Sequence, residues 1–257
     1  SAFILKEKLT TIDMVIEVVD ARIPVSCRNP VLKEICQNKV HLIAITKSDL
    51  ADPVQTQKWQ SQLEKEAPTC LVNAKTNIGV SALKQLCETH RPPTKLNDTN
   101  IAIVGVPNVG KSALINCLAK RKITKVANKA AVTRHQQWIP IGKSITLLDT
   151  PGLLWPKFDA PEIGYKLALV ASIKETLLPQ EDIALFLLTY LKEHYPEELE
   201  TRYKVDPTLD LITVLEEIGL NRGCKQSKNH IDYDKVYRIL IQEFKTGKIG
   251  QITLDEV

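Results

Sequence analysis

Residues 101–112 read IAIVGVPNVGKS and are the most informative part of this sequence. Its first four residues are apolar and predict a buried strand, and residues 112–119 favour a helix. Residues 105–112 fit the pattern GxxxxGK[ST]. Glycines in such a turn let successive backbone N–H groups face a phosphate, and the start of the helix adds a partial positive charge. The sequence therefore predicts a phosphate-binding loop, with a Gly-rich turn that holds no ligand as the alternative.

The side chains at the end of this loop suit a nucleoside triphosphate. Lys111 would reach the β- and γ-phosphates, and the Ser112 hydroxyl would bind Mg²⁺. The residues of this loop that we predict to contact phosphate are Gly105, Asn108, Val109, Gly110, Lys111, Ser112 and Ala113.

A second motif, residues 149–152, reads DTPG and follows the apolar residues 145–148. At the end of a strand downstream of a phosphate loop, Asp149 can reach Mg²⁺ and the Gly152 N–H can contact a γ-phosphate. Thr133 lies between the two motifs and can supply a second Mg²⁺ ligand when its loop closes on the γ-phosphate. The predicted catalytic residues are Lys111, Thr133 and Gly152.

Two further elements suit a guanine base. Residues 46–49 read TKSD, follow the apolar residues 40–45, and resemble the NKxD element of GTPases with Thr in place of Asn. Asp49 can accept hydrogen bonds from guanine N1–H and from the 2-amino group, which adenine does not offer. Residues 73–75 read NAK and resemble the [S/N]AK element, whose backbone N–H groups close over guanine O6. Both elements end predicted strands, where ligands bind in parallel sheets. The predicted guanine-binding residues are Thr46, Lys47, Asp49, Asn73, Ala74 and Lys75.

Strand and helix patterns alternate through the first two-thirds of the chain, which is typical of a parallel α/β sheet. A polar link at 91–98 interrupts them, and after about residue 160 apolar residues recur at helical spacing instead. We expect a GTPase domain over residues 1–172 and a helical C-terminal domain over residues 173–257. The predicted strands are 14–19, 40–45, 70–72, 101–104, 138–141 and 145–148, and the predicted helices are 30–37, 55–67, 80–90, 112–119, 183–191, 211–218 and 236–244.

The order of the motifs is rotated relative to ordinary GTPases, in which the phosphate loop comes first and base recognition comes last. Here the order is TKSD, NAK, phosphate loop, Thr133 and DTPG. These motifs can still meet if the fold is circularly permuted, with the link at 91–98 joining the original termini. The predicted fold class is therefore an α/β P-loop GTPase with a mostly parallel, circularly permuted sheet and a small all-helical C-terminal domain.

With this motif order, the chain resembles the circularly permuted GTPases of the RbgA/YlqF family, which act in bacterial ribosome assembly. The resemblance also rests on residues 19–24 (VDARIP), 28–30 (RNP), 136–138 (QQW) and 148–157 (LDTPGLLWPK). It implies GTP hydrolysis coupled to late maturation of the large ribosomal subunit, with rRNA and ribosomal proteins as partners. It also implies that the helical domain over residues 173–257 contacts RNA or the ribosome.

The resemblance has further implications for single residues. Leu153 stands where Ras-like enzymes have a water-orienting Gln, so it cannot be the catalytic polar group. Asn108 would help to hold a K⁺ ion beside the phosphates, and Thr46 in place of Asn would loosen guanine binding. Relatives have a Gly-His-Met segment ahead of the first helix, and its place here would precede Ser1. We expect a low basal GTPase activity that the ribosomal particle stimulates.

Charge is unevenly distributed, although the formal net charge is only +4. The fifty residues between Asp98 and Asp149 contain no carboxylate and eight Lys or Arg residues. Such a stretch suits a polyanion, because acidic side chains would repel phosphates; a solvated face is the alternative. We expect GTP and Mg²⁺ to order this loop and so present it to RNA. The predicted RNA-contacting residues are Lys120, Arg121, Lys122, Lys125 and Arg134.

The composition, 44% hydrophobic and 25% charged, is ordinary for a globular protein. No apolar run approaches the roughly 20 residues of a membrane span, and Lys6 and Glu7 come too early for a signal peptide. The six cysteines occur singly, without the spacing of metal ligands. We expect a cytoplasmic monomer without membrane contact, or a mitochondrial matrix protein if a transit peptide precedes Ser1.

Two other functions remain as alternatives for the sequence. A P-loop kinase that phosphorylates a small molecule would share the phosphate loop, although the TKSD and NAK elements argue against it. A non-catalytic RNA-binding module that holds GTP as a structural ligand would share the basic loop.

Overall fold

A single, mostly parallel sheet forms the centre of the structure. The computed structural model describes residues 9–30, 32, 38–93, 99–120, 137–141, 144–155, 158–225 and 230–257. Within this part of the chain six strands pair in the order β3-β2-β1-β4-β6-β5, and only β5 and β6 are antiparallel. The prediction of a mostly parallel sheet is confirmed. The strands are β1 (Met14–Asp20), β2 (Val40–Thr46), β3 (Thr69–Val72), β4 (Thr99–Val104), β5 (Gln137–Ile141) and β6 (Ile145–Asp149).

Strand β1 lies at the centre of the sheet, hydrogen-bonded to β2 on one side and to β4 on the other. All seven of its residues are buried. A parallel sheet is covered on both faces, which explains why the sequence of β1 is almost continuously apolar. Asp20 pairs in register with Thr46 of β2, and Glu17 pairs with Val104 of β4. The carboxyl ends of β1, β2 and β4 therefore lie side by side at one edge.

Three helices between the strands have nearly the predicted bounds: α1 (Pro53–Leu63), α2 (Val80–Thr89) and α3 (Lys111–Ala119). Asp52 caps α1, because its Oδ1 accepts hydrogen bonds from Val54 N and Gln55 N at 2.7 and 3.1 Å. Most of the predicted helix at 30–37, residues 94–98 of the link, and the predicted loop beyond Lys120 lie outside the described residues.

Five helices follow in the last part of the chain that the structure describes. The predicted helices at 183–191, 211–218 and 236–244 lie within three of them. The apolar pattern did not indicate two others, α4 (Pro161–Leu169) and α6 (Pro196–Tyr203). Helix α6 buries only Leu199 and Tyr203, too few side chains to produce an apolar repeat. None of the described helices is long and apolar enough to cross a membrane. The helices are α4 (Pro161–Leu169), α5 (Gln180–His194), α6 (Pro196–Tyr203), α7 (Leu211–Asn221) and α8 (Tyr233–Lys245).

After α8 the chain returns to the sheet edge in a segment that we call the C-terminal strap (residues 249–255). Leu254 N donates to Arg22 O at 2.7 Å, and Ile252 N donates to Leu50 O at 3.2 Å. Ile252 and Leu254 are also buried, so the strap adds to the apolar core. This core is continuous from the sheet into the C-terminal helices, and the domain division at residue 172 stays a prediction.

Asp255 fixes the end of the strap. Its Oδ2 accepts hydrogen bonds from Val25 N and Ser26 N, both at 2.8 Å, and its Oδ1 lies 3.0 Å from Nζ of Lys166 in α4. The residue is only 5% exposed. A buried carboxylate of this kind needs its donors, and here they come from the loop after β1 and from α4.

We expect Asp255→Ala to lower the free energy of unfolding by about 3 kcal/mol, because two partly buried N–H groups and the Lys166 ammonium lose their acceptor. Urea denaturation measures this change. Glu256→Ala is the matched control, since the Glu256 side chain is 67% exposed and pairs with His194 at the surface; its effect should be at most about 0.5 kcal/mol. Equal free energies of unfolding for the two variants would contradict the role given to Asp255.

Candidate functional site

The predicted motifs meet at the carboxyl edge of the sheet. Thr46 is the last residue of β2, Asn73 follows β3, Gly105 follows β4, and Asp149 is the last residue of β6. These four strands run parallel, so their carboxyl ends share one edge. Ligands of open parallel sheets bind at this edge, which makes it the candidate site.

The phosphate loop has the backbone conformation that its glycines predict. Gly105, Asn108 and Gly110 have φ angles of 149°, 59° and 113°, in the region that favours glycine and, less strongly, asparagine. A Cβ at Gly105 would lie 2.5 Å from Val18 O, so a side chain there would collide with the neighbouring strand. Helix α3 begins at Lys111 directly after the loop, which places Val109, Ser112 and Ala113 at its N-terminal end.

Lys111 is buried inside this loop. Its Nζ donates to Gly105 O at 3.0 Å and to Val106 O at 2.7 Å. Burial lowers the pKa of Lys111 to about 8, although the nearby charge of Asp149 partly opposes this change. A phosphate group in the loop would supply the negative charge that a desolvated ammonium lacks.

Asp149 has the complementary property. The residue is 1% exposed, and its Oδ1 has no hydrogen-bond partner among the residues that the structure describes. Burial raises the pKa of Asp149 to about 6, although the charge of Lys111 lowers it. An orphaned carboxylate oxygen and the hydroxyl of Ser112 are donors that Mg²⁺ prefers, so these residues fit that ion. Thr133, the other predicted ligand, lies outside the described residues.

The DTPG segment lies against the phosphate loop. A Cβ at Gly152 would come within 2.5 Å of Pro107 N, so only glycine permits this approach. Leu153 N donates to Gly105 O at 3.1 Å. The side chain of Leu153 is buried in an apolar cluster with Leu148 and other residues. This burial agrees with the expectation that Leu153 is not a catalytic polar group.

Thr46 joins the TKSD loop, which we predict to recognise the base, to the phosphate loop. Its buried hydroxyl donates to Val109 O at 2.6 Å and also lies 3.0 Å from Val19 O. A Cβ at Gly110 would lie 3.5 Å from Thr46 Oγ1, so the two loops are in direct contact. The sequence did not indicate this contact, because Val109 and Thr46 are distant along the chain.

The two guanine-type elements also contact each other. Lys75 Nζ lies 3.0 Å from Asp49 Oδ2, in a pair whose lysine side chain is 72% exposed. Asn73 Oδ1 accepts from Lys75 N at 2.9 Å, which shapes the NAK turn. Cys117 Sγ in α3 donates to Ala74 O at 3.1 Å. The NAK turn is thereby linked both to the TKSD loop and to the helix that follows the phosphate loop.

Asn108 and Pro107 of the phosphate loop are hydrogen-bonded to the turn after α4. Asn108 Nδ2 donates to Ala171 O at 2.8 Å, and Ser172 Oγ donates to Pro107 O at 2.8 Å. These links between the phosphate loop and the turn after α4 had no signal in the sequence, since Ala171 and Ser172 belong to no motif.

The predicted RNA-contacting residues are mostly outside the described part of the chain. Lys120 follows the last residue of α3 and has a φ angle of 54°, the left-handed conformation in which many helices end. The other four residues of this prediction are Arg121, Lys122, Lys125 and Arg134.

The structure also shows two residues at this edge that sequence reasoning gave no role. Asp20 and Arg22 follow one another closely at the end of β1 and form a buried ion pair at 2.9 Å. They lie in the VDARIP stretch, which was noted only as part of a family resemblance. The sequence did contain a signal for a functional role of this pair, because two charged residues closely follow the predicted apolar strand at 14–19.

Comparison with known proteins gives consistent results. The family model described as 50S ribosome-binding GTPase matches residues 100–217. Ribosome biogenesis GTPase A of Priestia megaterium is 42% identical over 262 residues, covering 97% of this chain and 91% of that protein. Mitochondrial ribosome-associated GTPase 1 of Xenopus tropicalis is 32% identical over 279 residues, covering 98% and 90%.

The fold is also found in solved structures. The crystal structure of GNP-bound YlqF from T. maritima has a TM-score of 0.72 at 23% identity and covers all of this chain and 97% of that chain. The GDP-bound structure of the T. maritima protein has a TM-score of 0.70. The chain thus belongs to the ribosome biogenesis GTPase A family, the RbgA/YlqF family that its motifs resemble, and is a GTPase with a circularly permuted fold.

Proposed function

We propose that the chain hydrolyses GTP at the carboxyl edge of the sheet and acts in late assembly of the large ribosomal subunit. The contact between Thr46 and Val109 carries this proposal, because it supports base recognition by the TKSD loop directly beside phosphate binding by the phosphate loop. The names of the relatives, which refer to ribosome biogenesis and to ribosome association, support the cellular role. A P-loop kinase would not need a base-recognition loop tied to its phosphate loop.

The phosphates would occupy the loop that now encloses Lys111. Backbone N–H groups from Val109 to Ala113 would face them, and the Lys111 ammonium would turn from the loop carbonyls towards the β- and γ-phosphates. Ser112 and Asp149 would hold Mg²⁺, with Thr133 as a further ligand, and the ion would neutralise developing phosphate charge. The Gly152 N–H would donate to the γ-phosphate from its position against the phosphate loop.

The base would lie between the TKSD and NAK elements. The Asp49 carboxylate would leave its exposed pair with Lys75 and accept from guanine N1–H and the 2-amino group. Lys47 would lie along the base, and backbone N–H groups of residues 73–75 would face O6. Discrimination against adenine then follows, because Asp49 would lack donors on that base.

The chain needs help to hydrolyse GTP rapidly. The side chain at the position of the usual water-orienting Gln is Leu153, which is buried and apolar. The ribosomal particle would complete the site, with the basic loop that starts at Lys120 in contact with rRNA. Asn108 Nδ2 is already engaged with Ala171 O, which leaves its oxygen as the ligand for K⁺. Bacterial and mitochondrial relatives support either the cytoplasm or the mitochondrial matrix as the location.

We expect single-turnover GTP hydrolysis of about 10⁻⁴ s⁻¹ by the protein alone, the scale of a GTPase without an arginine finger. Addition of the large-subunit precursor should raise this rate at least tenfold, and the particle should bind more tightly with a non-hydrolysable GTP analogue than with GDP. Equal rates with and without the particle would contradict stimulation.

The same assay in K⁺ and Na⁺ buffers tests the K⁺ site at Asn108. We expect faster hydrolysis in K⁺, and equal rates in the two buffers would exclude this site.

Asp49→Ala should weaken GTP binding by at least about a hundredfold and leave ATP binding unchanged, because only guanine has donors for the lost carboxylate. Competition between the two nucleotides for a fluorescent analogue measures both affinities. Glu64→Ala, which removes an exposed carboxylate directly after α1, should change neither affinity. Retained preference for GTP in Asp49→Ala would show that base recognition lies elsewhere.

Thr46→Val should weaken GDP binding about tenfold, because the buried carbonyl of Val109 loses its donor and the two loops separate. Thr46→Ser keeps the hydroxyl and should bind GDP nearly as the parent does. Isothermal titration calorimetry on the three proteins decides the question. Parent-like binding by Thr46→Val would mean that this hydrogen bond does not hold the site together.

A further inference from the structure

The VDARIP stretch contains a buried charge cluster that the proposed function does not use. Asp20 is the last residue of β1, and its side chain is fully buried. Strand β1 lies between β2, which leads into the TKSD loop, and β4, which leads into the phosphate loop. A buried carboxylate is unfavourable unless it is paired and hydrogen-bonded. Asp20 therefore needs cationic partners close to its carboxylate.

Two cations converge on this carboxylate. Arg22 Nε donates to Oδ1 and Arg22 Nη2 to Oδ2, each at 2.9 Å, in the bidentate geometry that favours strong pairing. Lys47 Nζ of the TKSD loop lies 2.9 Å from the same Oδ2. Burial alone would raise the pKa of Asp20, but Arg22 and Lys47 hold it well below its usual range. Asp20 is thus a permanent negative charge inside the edge of the sheet.

The contact with Lys47 bears directly on the TKSD loop. Lys47 has a φ angle of 58°, in the left-handed region that residues with a side chain rarely adopt. It lies between Thr46, which is bonded to the phosphate loop, and Asp49, the predicted base-recognition carboxylate. Burial lowers the pKa of Lys47, and the charge of Asp20 opposes this. Without Asp20, the Lys47 ammonium would be desolvated and close to the like charge of Arg22.

Arg22 is itself held from the C-terminal side. Its carbonyl accepts from Leu254 N of the strap at 2.7 Å, and its guanidinium lies 5.6 Å from the centroid of the Phe244 ring in α8. Arg22 is 2% exposed. The cluster of Asp20, Arg22 and Lys47 therefore spans the space between the base-recognition loop and the C-terminal part of the chain.

We propose that Asp20 is a positioning residue for guanine recognition. Its carboxylate holds Lys47 in the left-handed turn, and this turn directs Asp49 towards the base, while Arg22 keeps Asp20 in place. The inference rests on the proposed role of the TKSD loop. It adds a residue from outside the recognition motifs, located on the central strand, that determines how well those motifs bind guanine.

The test separates base binding from phosphate binding. Asp20→Asn keeps the size of the side chain and removes its charge. We expect GDP binding to weaken about tenfold, the usual size of coupling between contacting residues, while inorganic pyrophosphate binds as in the parent. For hydrolysis, KM for GTP should rise and kcat at saturation should stay the same. A parallel loss of pyrophosphate and GDP binding would show a general structural role and overturn the proposal, as would parent-like GDP binding.

A double-mutant cycle with Lys47→Met identifies the route of the effect. If Asp20 acts through Lys47, the change Asp20→Asn should cost little further GDP affinity in the Lys47→Met background. A full tenfold loss in that background would overturn the proposed route.

Glu17→Gln is the matched control. Glu17 is also buried on β1 and is paired with Arg28 at 3.0 Å and His41 at 3.1 Å, but these partners are not part of the predicted site. Glu17→Gln should reduce stability and leave GDP and pyrophosphate binding unchanged. A loss of GDP affinity equal to that of Asp20→Asn would contradict positioning by Asp20.

Two further proteins keep the test decisive. If Asp20→Asn does not fold, Asp20→Glu replaces it, because its longer side chain displaces Lys47. GDP binding should again weaken while pyrophosphate binding stays as in the parent. The absence of this difference overturns the proposal. Asp49→Ala, measured in the same series, tests the TKSD loop itself. If Asp49→Ala loses GDP affinity and the Asp20 variants do not, only this inference fails; if Asp49→Ala binds normally, the proposed base site fails as well.

Discussion

The parallel pairing of β1 with both β2 and β4 is the interaction on which the site depends. It sets the register that places Asp20 beside Thr46, and it brings the TKSD loop within hydrogen-bond distance of the phosphate loop. Parallel strands end at a common edge, so motifs that are distant in the chain become neighbours. Circular permutation changes the order in which the strands are connected but leaves this arrangement at the edge unaffected.

Buried charge at this edge is of two kinds. Asp20 is paired within the chain by Arg22 and Lys47, and such satisfied charge holds loops in a fixed geometry. Lys111 and Asp149 are instead desolvated without an oppositely charged partner in contact, within the part of the chain that the structure describes. Burial therefore lowers the pKa of Lys111 to about 8 and raises the pKa of Asp149 to about 6. Groups of this second kind gain most from a ligand that brings phosphate and a divalent cation. The first kind therefore shapes the site, and the second kind is available for binding.

The C-terminal part of the chain contacts both sides of the site. The turn after α4 bonds to Asn108 and Pro107 of the phosphate loop. On the other side, the strap bonds to Leu50, directly after the TKSD loop, and to Arg22. The C-terminal part is thus connected by buried or partly buried hydrogen bonds to the loops that would hold nucleotide.

The strands, most of the helices and the edge at which the motifs meet could be predicted from the amino-acid pattern alone. Apolar periodicity reports the burial of each segment, and glycine positions such as Gly105 report a local backbone conformation, so both can be found by inspection of nearby residues. Helix α6 was not predicted, because it buries too few side chains. Contacts between distant groups, such as Thr46 with Val109 and Asp20 with Lys47, became known only from the folded chain. The physical reason is that such contacts depend on which strands pair and in which register, and the pattern along a single strand does not contain that information.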